Sequence, residues 1–314
     1  MLPKILVITG PTASGKTWLA AELAKRCGGE VVSADSMQIY RRMDIGTAKP
    51  TEEEKQGVPH HMLDVADPAE DFSVARYVDM ASRCVAEVCA RGKLPILAGG
   101  TGLYIDSLLS GRTFAAFDGG STLRAELEER YARQGGQALL DELAKADPAS
   151  AARLHPNDAK RIVRALEVWL TTGRTITQHN EETKAIPPRY DALTLTLDFR
   201  RREDMWERID RRVDRMLEAG LEREVRALLD SGVPERCTAM QAIGYKEMVP
   251  VISGAMAAAD AAAQIKLRSR QYAKRQRTWF RRGQQAKTLF WEPIPNFADV
   301  LHRSTAFLEE FGIL

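Results

Sequence analysis

The chain has 314 residues, 44% of them apolar and 28% charged, and 45 Lys and Arg against 43 Asp and Glu leave a net charge of +2. That suffices for one large or two modest globular domains and excludes collagenous, low-complexity and disulfide-stapled classes. Cys27, Cys84, Cys89 and Cys237 form no C-x-x-C pair and no metal-ligand spacing, so reduced thiols in a cytoplasmic protein are expected.

Met1-Leu-Pro-Lys leads straight into a strand over residues 4–9, so no secretory leader is expected. No apolar run is long enough to cross a bilayer, and no membrane association is expected. The strand's apolar centre, Ile5 to Ile8, precedes Gly10–Thr17, GPTASGKT, which fits the phosphate-cradling G-x-x-x-x-G-K-[ST] pattern. A helical pattern from Trp18 follows, the context the motif requires. Gly10, Thr12, Ala13, Ser14 and Gly15 would turn their backbone toward one anion, aided by the helix N-terminus. Lys16 adds a point charge, and the Thr17 hydroxyl a ligand for Mg2+. A di- or triphosphate is the expected ligand.

Residues 30–34 read as a second strand, followed by Asp35-Ser36-Met37-Gln38-Ile39-Tyr40. Ligands of open parallel sheets bind beyond the carboxyl ends of the strands, so Asp35 belongs beside the phosphate loop. It is either a turn former or a carboxylate placed to take a proton or hold magnesium. His60 and His61, adjacent on an extended chain, point to opposite sides and read as structural. A helix over about 74–91 leads to a strand at 94–98 that ends in Gly99-Gly-Thr-Gly-Leu-Tyr104. Kinases and ATPases usually place a magnesium-linked Asp at such a strand end, and none stands here. The small residues indicate close backbone approach by a ligand, with Thr101 offering a hydroxyl; the plain alternative is a tight turn.

Strands alternating with helices predict an α/β fold with a P-loop NTPase-like parallel sheet core. The pattern breaks around Arg112–Gly120. From about 121 to 183 only helical patterns occur, one over Leu123–Ala146 interrupted at Gly135-Gly136, another from Asn157-Asp158 to Gly173. β-rich stretches return at 190–199 and Thr288–Trp291. The expected organisation is a core of 1–112 and 190–314 carrying a helical insertion domain at 113–189.

The alanine-rich stretch 255–263 suits a helix, and from Ala261 to Lys287 no acidic residue occurs. That stretch holds Lys266, Arg268, Arg270, Lys274, Arg275, Arg277, Arg281, Arg282 and Lys287, interleaved with Tyr272, Trp279 and Phe280. Cations for phosphates and aromatics for bases are a nucleic-acid footprint; a solvated basic helix with its aromatics in the core is the plain alternative. Arg161, Arg164 and Lys246 could extend the patch.

GPTASGKT, DSMQIY, GTAKP (46–50), HHMLDV (60–65), FSVARY (72–77), GGTGLY, HPNDAKRIVRALEV (155–168), AIGYKE (242–247) and RQYAKRQRTWFR (270–281) stand in the order seen in tRNA dimethylallyltransferases. From about residue 4 to 291 the chain closely resembles the bacterial members of that family, the delta(2)-isopentenylpyrophosphate transferases. The resemblance implies transfer of a dimethylallyl group from dimethylallyl diphosphate to the exocyclic N6 amine of adenosine 37 of tRNA. It implies that the loop binds the diphosphate leaving group with Mg2+, that Asp35 is the base, and that Thr101 hydrogen-bonds the amine or bridging oxygen. Arg212 would clamp the diphosphate, with Arg208 as rival. The tRNA would meet Asp35, Ser36, Met37, Gln38, Lys160, Arg161, Ile243, Gly244, Tyr245, Lys246, Lys274, Arg275, Arg277, Trp279 and Arg281. The target base must leave its stack to reach a buried carboxylate, and Gln38 has both donor and acceptor to read an adenine edge. A monomer is expected. An ATP-dependent kinase would explain the loop but not the basic segment. A nucleic-acid-binding module would leave DSMQIY and GGTGLY without a task.

Overall fold

The computed structural model describes residues 2–111, 122–282 and 286–314. Six strands, β1 (Lys4–Thr9), β2 (Gly29–Ser33), β3 (His60–His61), β4 (Leu94–Ala98), β5 (Asp191–Phe199) and β6 (Lys287–Trp291), form one sheet ordered β3-β2-β4-β1-β5-β6. Every pairing is parallel. β1 lies inside, with Leu6 in register with Ile96 of β4 and Leu193 of β5. Ile5, Leu6, Val7 and Ile8 are fully buried, which is why the strand reads as an unbroken apolar run rather than an alternating one.

The strands and the helices Lys16–Cys27 and Val74–Ala90 fall where the sequence pattern places them. β3 does not, because two residues carry no periodicity. His60 and His61 pair with Val31 and Val32 of β2. Their rings are engaged locally: His60 Nδ1 lies 2.8 Å from the Val58 carbonyl, and His61 Nε2 2.7 Å from Glu30.

Two compact units result, Met1–Leu109 with Arg189–Leu314, and Ser110–Pro188. The break read at Arg112–Gly120 lies outside the described residues. In the second unit the helices Thr122–Gln134, Gly136–Ala146 and Ala159–Thr172 enclose Leu127, Leu139, Leu143, Ile162 and Leu166. Gly173 closes the last of these helices at φ 69°, a conformation that costs glycine little. Asp147 fastens two further helices, Pro148–Ala151 and Ile176–Lys184, accepting from Ser150 N at 3.0 Å and Thr177 Oγ1 at 2.6 Å.

The glycines behind β4 have a packing reason of their own. A Cβ on Gly99 would fall on the Ala34 backbone, and one on Gly102 on the Trp279 indole. At these two positions the chain itself already fills the space a side chain would need. Gly99→Ala is therefore expected to force β2 and β4 apart at their ends. Overpacking of this kind costs about 1–3 kcal/mol, read as a lowered thermal midpoint against wild type.

Candidate functional site

Beyond the ends of β1, β2 and β4 opens a cleft of about 1100 Å³, lined by Thr12–Trp18, Asp35, Gln38, Gly99, Gly100 and a row of arginines. The phosphate loop forms one wall. Gly10 at φ 143° and Gly15 at φ 83° carry its turns, and Gly10 has no room for a Cβ against the Leu197 carbonyl. Two distant side chains brace the loop: Thr12 N donates to Gln276 Oε1 at 2.8 Å, and Trp291 Nε1 to the Ser14 carbonyl at 2.8 Å. Lys16 Nζ donates to the carbonyls of Gly10 (3.0 Å) and Pro11 (2.8 Å). Burial, then the nearby Arg212 charge, push the Lys16 pKa down to about 7, while Asp35 pulls the other way. The hydroxyls of Ser14 and Thr17 have no protein partner among the described residues.

Asp35 faces the loop across the cleft. Its Oδ1 accepts from the N–H groups of Met37 (2.9 Å) and Gln38 (3.4 Å), an Asx turn. Oδ2 has no hydrogen-bond partner among the described residues, so one oxygen shapes the turn and the other is available for chemistry. Thr101 packs against that turn, beside the cleft-lining Tyr272. Its Oγ1 accepts from Ser36 N at 3.0 Å and lies 3.3 Å from Ser36 Oγ. Gln38 is more constrained than its side-chain chemistry promised. Its amide nitrogen donates to the carbonyls of Thr47 (3.3 Å) and Ala48 (3.0 Å), and Oε1 is left with a 3.4 Å contact to Ser33 Oγ.

The helix Arg202–Ala219 presents Arg208, Arg212 and Arg215 to the cleft, spaced four and three apart. That spacing puts them on one helix face. None has a carboxylate within 4.0 Å among the described residues. Arg212 Nη2 donates to Thr47 O at 3.3 Å, and Arg208 stacks on the rings of Phe199 and Trp291 at 5.6 and 5.3 Å. Burial lowers the pKa of both guanidinium groups. Sequence reading named two of these arginines; Arg215 was missed, although the heptad spacing carried the signal.

Asp198, at the end of β5, is the strand-end carboxylate that β4 lacks. It is committed elsewhere, buried against Arg277 Nε at 2.7 Å and Arg281 Nη2 at 3.3 Å. The basic segment runs along the helix Ala258–Phe280 from Lys266, continues past its end in Arg281 and Arg282 and reaches β6 at Lys287, and much of it is internally paired. Lys266 meets Asp214 at 2.6 Å, Arg268 meets Glu247 at 3.2 Å, and Arg270 pairs with Asp210. Lys274, Arg275 and Arg282 are exposed and have no carboxylate partner among the described residues. Trp279 is 39% exposed, its Nε1 donating to Asp106 at 2.9 Å. Gly244 and Tyr245 are buried, and the tyrosine hydroxyl is spent on Glu224 at 2.5 Å; Ile243 and Lys246 are half-buried. In the second unit Lys160 and Arg161 are exposed in the first turn of Ala159–Thr172, just after the N-cap Asp158.

Comparison with known proteins gives one consistent answer. Residues 38–283 match the model of the IPP transferase family. A tRNA dimethylallyltransferase of Geobacter sulfurreducens is 48% identical, over 98% of this chain and 97% of its own length. One from Acetivibrio thermocellus is 43% identical, over 99% of each chain. Among solved structures, the full-length tRNA isopentenylpyrophosphate transferase of Bacillus halodurans superposes with a TM-score of 0.72 at 41% identity, covering 98% of each chain. A eukaryotic dimethylallyltransferase captured acting on tRNA gives 0.82 at 29% identity, over 98% of this chain and 80% of that one.

The Lys16 ammonium is held near neutrality, and an anion in the loop would stabilise its charged form. Inorganic pyrophosphate binding at pH 8 is therefore expected to draw in a proton, because the free site is partly deprotonated above pH 7. Calorimetry in buffers of different ionisation enthalpy measures this uptake. Lys16→Ala should take up correspondingly less, pyrophosphate's own titration being common to both proteins.

Proposed function

The chain belongs to the IPP transferase family, and we propose from that premise that it moves a dimethylallyl group from dimethylallyl diphosphate to N6 of adenosine 37 in tRNA. One observation carries the reading. The cleft faces Lys16, Arg208, Arg212 and Arg215, none with a carboxylate partner among the described residues, with Asp35, whose Oδ2 accepts no hydrogen bond there. An anion cradle facing a carboxylate suits a reaction that expels diphosphate and deprotonates an amine.

In the transfer, the allylic C–O bond breaks and its electron pair leaves with the diphosphate. Loop N–H groups, Lys16 and the arginines meet that growing charge, preorganised so that nothing must reorient as it develops. The N6 lone pair forms the new C–N bond, and the N6 proton passes to Asp35 Oδ2. Thr101 acts by holding Ser36, and Gln38 offers Oε1 as an acceptor to the second N6 proton. Guanine, which presents an oxygen at that position, would meet another acceptor there. The loop fits magnesium, since the Thr17 hydroxyl is uncommitted and magnesium in such sites takes its remaining ligands from phosphates and water. When bound, it neutralises charge on the leaving group.

No helix among the described residues is long and apolar enough to cross a membrane, and we place the protein in the cytoplasm as a monomer. Lys274, Arg275 and Trp279 in the first unit, and Lys160 and Arg161 in the second, are the side chains we assign to the tRNA. Arg277 and Arg281 hold Asp198 instead.

Incubation with labelled dimethylallyl diphosphate and undermodified tRNA is expected to label the tRNA, whereas labelled ATP should label no acceptor. Asp35→Asn should slow transfer by about 10² to 10⁴ with tRNA affinity retained. Near wild-type turnover in that variant would remove Asp35 as the base.

Reversing Lys274 and Arg275 to Glu should weaken tRNA binding, and less so as salt rises. Each phosphate contact contributes about one unit or less to the salt slope. Their exposure predicts an unchanged melting temperature. Reversing Arg277, by contrast, should lower it, because two carboxylates would then share a buried site. Melting curves beside tRNA affinity at two salt concentrations separate these outcomes.

A further inference from the structure

Glu224 lies outside the cleft, half-buried in the first turn of the helix Leu221–Asp230. Its carboxylate accepts four hydrogen bonds. Oε2 takes the backbone N–H groups of Asp44 (2.9 Å) and Ile45 (2.7 Å); Oε1 takes that of Gly46 (3.1 Å) and the Tyr245 hydroxyl (2.5 Å). Three consecutive backbone donors on one carboxylate fix a loop as firmly as a bound anion would, because charge-assisted hydrogen bonds are short and strong. Gly46 belongs to the same device, since a Cβ there would enter the Tyr245 ring and Leu221. AIGYKE and GTAKP, far apart in sequence, are thus two halves of one clamp.

What the clamp holds is the floor under two cleft side chains. Immediately after Gly46, the Thr47 carbonyl accepts from both Gln38 Nε2 and Arg212 Nη2, and the Ala48 carbonyl accepts from Gln38 Nε2. Ala48 sits at φ 46°, a left-handed conformation that a non-glycine residue keeps only where its surroundings impose it. With its amide nitrogen committed to these carbonyls, Gln38 loses both bonds if it flips, and its oxygen, which meets the Ser33 hydroxyl at 3.4 Å, keeps a second lone pair for a substrate.

We propose that Glu224 is a positioning residue for the acceptor base: by fixing the 44–48 loop it locks the Gln38 amide with its oxygen toward the cleft. Glu224 touches neither substrate and acts through Gln38. The proposal rests on the adenine-N6 transfer reading above.

A double-mutant cycle on the full chain tests it, with transfer by wild type as the control on that reading. If wild type does not modify tRNA, the reaction is wrong; if it does, the cycle bears on Glu224 alone. Misplacement of about 1 Å can cost 10²-fold, so Glu224→Ala is expected to lower kcat/KM for tRNA by about 10- to 100-fold at saturating donor. The KM for dimethylallyl diphosphate should move less than about threefold. In a Gln38→Ala background the same change should cost less than about threefold, because residues acting through one another are non-additive. Glu224→Gln keeps the shape and is expected to fall between wild type and Glu224→Ala. Should Glu224→Ala fail to fold, the cycle is run with Glu224→Gln and the same criterion. Losses that multiply in the double variant, or a Glu224 variant with wild-type kcat/KM for tRNA, would overturn the proposal.

Discussion

One buried amide ties the site together. Gln276, on the inward face of the basic helix, accepts from Thr12 of the phosphate loop at 2.8 Å and donates to the Gly100 carbonyl behind β4 at 3.0 Å. A primary amide is the smallest side chain that can accept on one end and donate on the other, so it can join a backbone N–H to a backbone C=O across a gap. Gly100 must lack a side chain for it to fit. The loop, the GGTG turn and the basic helix therefore hold one geometry, and Tyr272, one turn earlier on that helix, lines the same cleft. Any displacement of the basic helix, by whatever binds its outer face, would be felt by the phosphate loop through this bridge.

Much of the core was legible because it is local. β1, the phosphate loop and the helix after it occupy consecutive residues, and their period, glycines and lysine announce themselves in order. The site was legible only as types of residue. That Asp35 divides its two oxygens between a turn and the cleft follows from the Met37 and Gln38 amides, which no spacing reveals. Thr101 was read as a substrate contact; that its hydroxyl also meets Ser36 could not be read, because that partner comes from another strand's end. Glu224 left no trace at all, since a glutamate on an amphipathic helix reads as an ordinary solvated charge. Its meaning exists only when GTAKP is folded against it.

The basic segment shows how composition misleads about charge. Nine cations without an acid in sequence do not make nine free cations in space. Asp198, Asp210, Asp214 and Glu247 reach Lys266, Arg268, Arg270, Arg277 and Arg281 from other elements. These pairs fasten the segment and leave Lys274, Arg275 and Arg282 exposed, without a carboxylate partner among the described residues. On the proposal that this patch meets the tRNA, its contribution should be specific in place and modest in salt dependence.

The cleft uses the reverse arrangement. Along Arg202–Ala219, Arg202 pairs with Glu203, Arg211 with Glu207 and Asp214 with Lys266, whereas Arg208, Arg212 and Arg215 have no carboxylate partner among the described residues. Burying guanidinium groups without carboxylates is unfavourable, and the lowered pKa of Arg208, Arg212 and Lys16 records that cost. Pairing them within the chain would have been the stable solution, and Asp198 with Arg277 shows that the fold can build such a pair close by. On the proposed reaction, a set of cations left unpaired around one loop is a site whose missing charge the substrate supplies. The cost is recovered on binding, and it is recovered most fully when the bound group is most negative, as it is once a diphosphate has parted from its carbon.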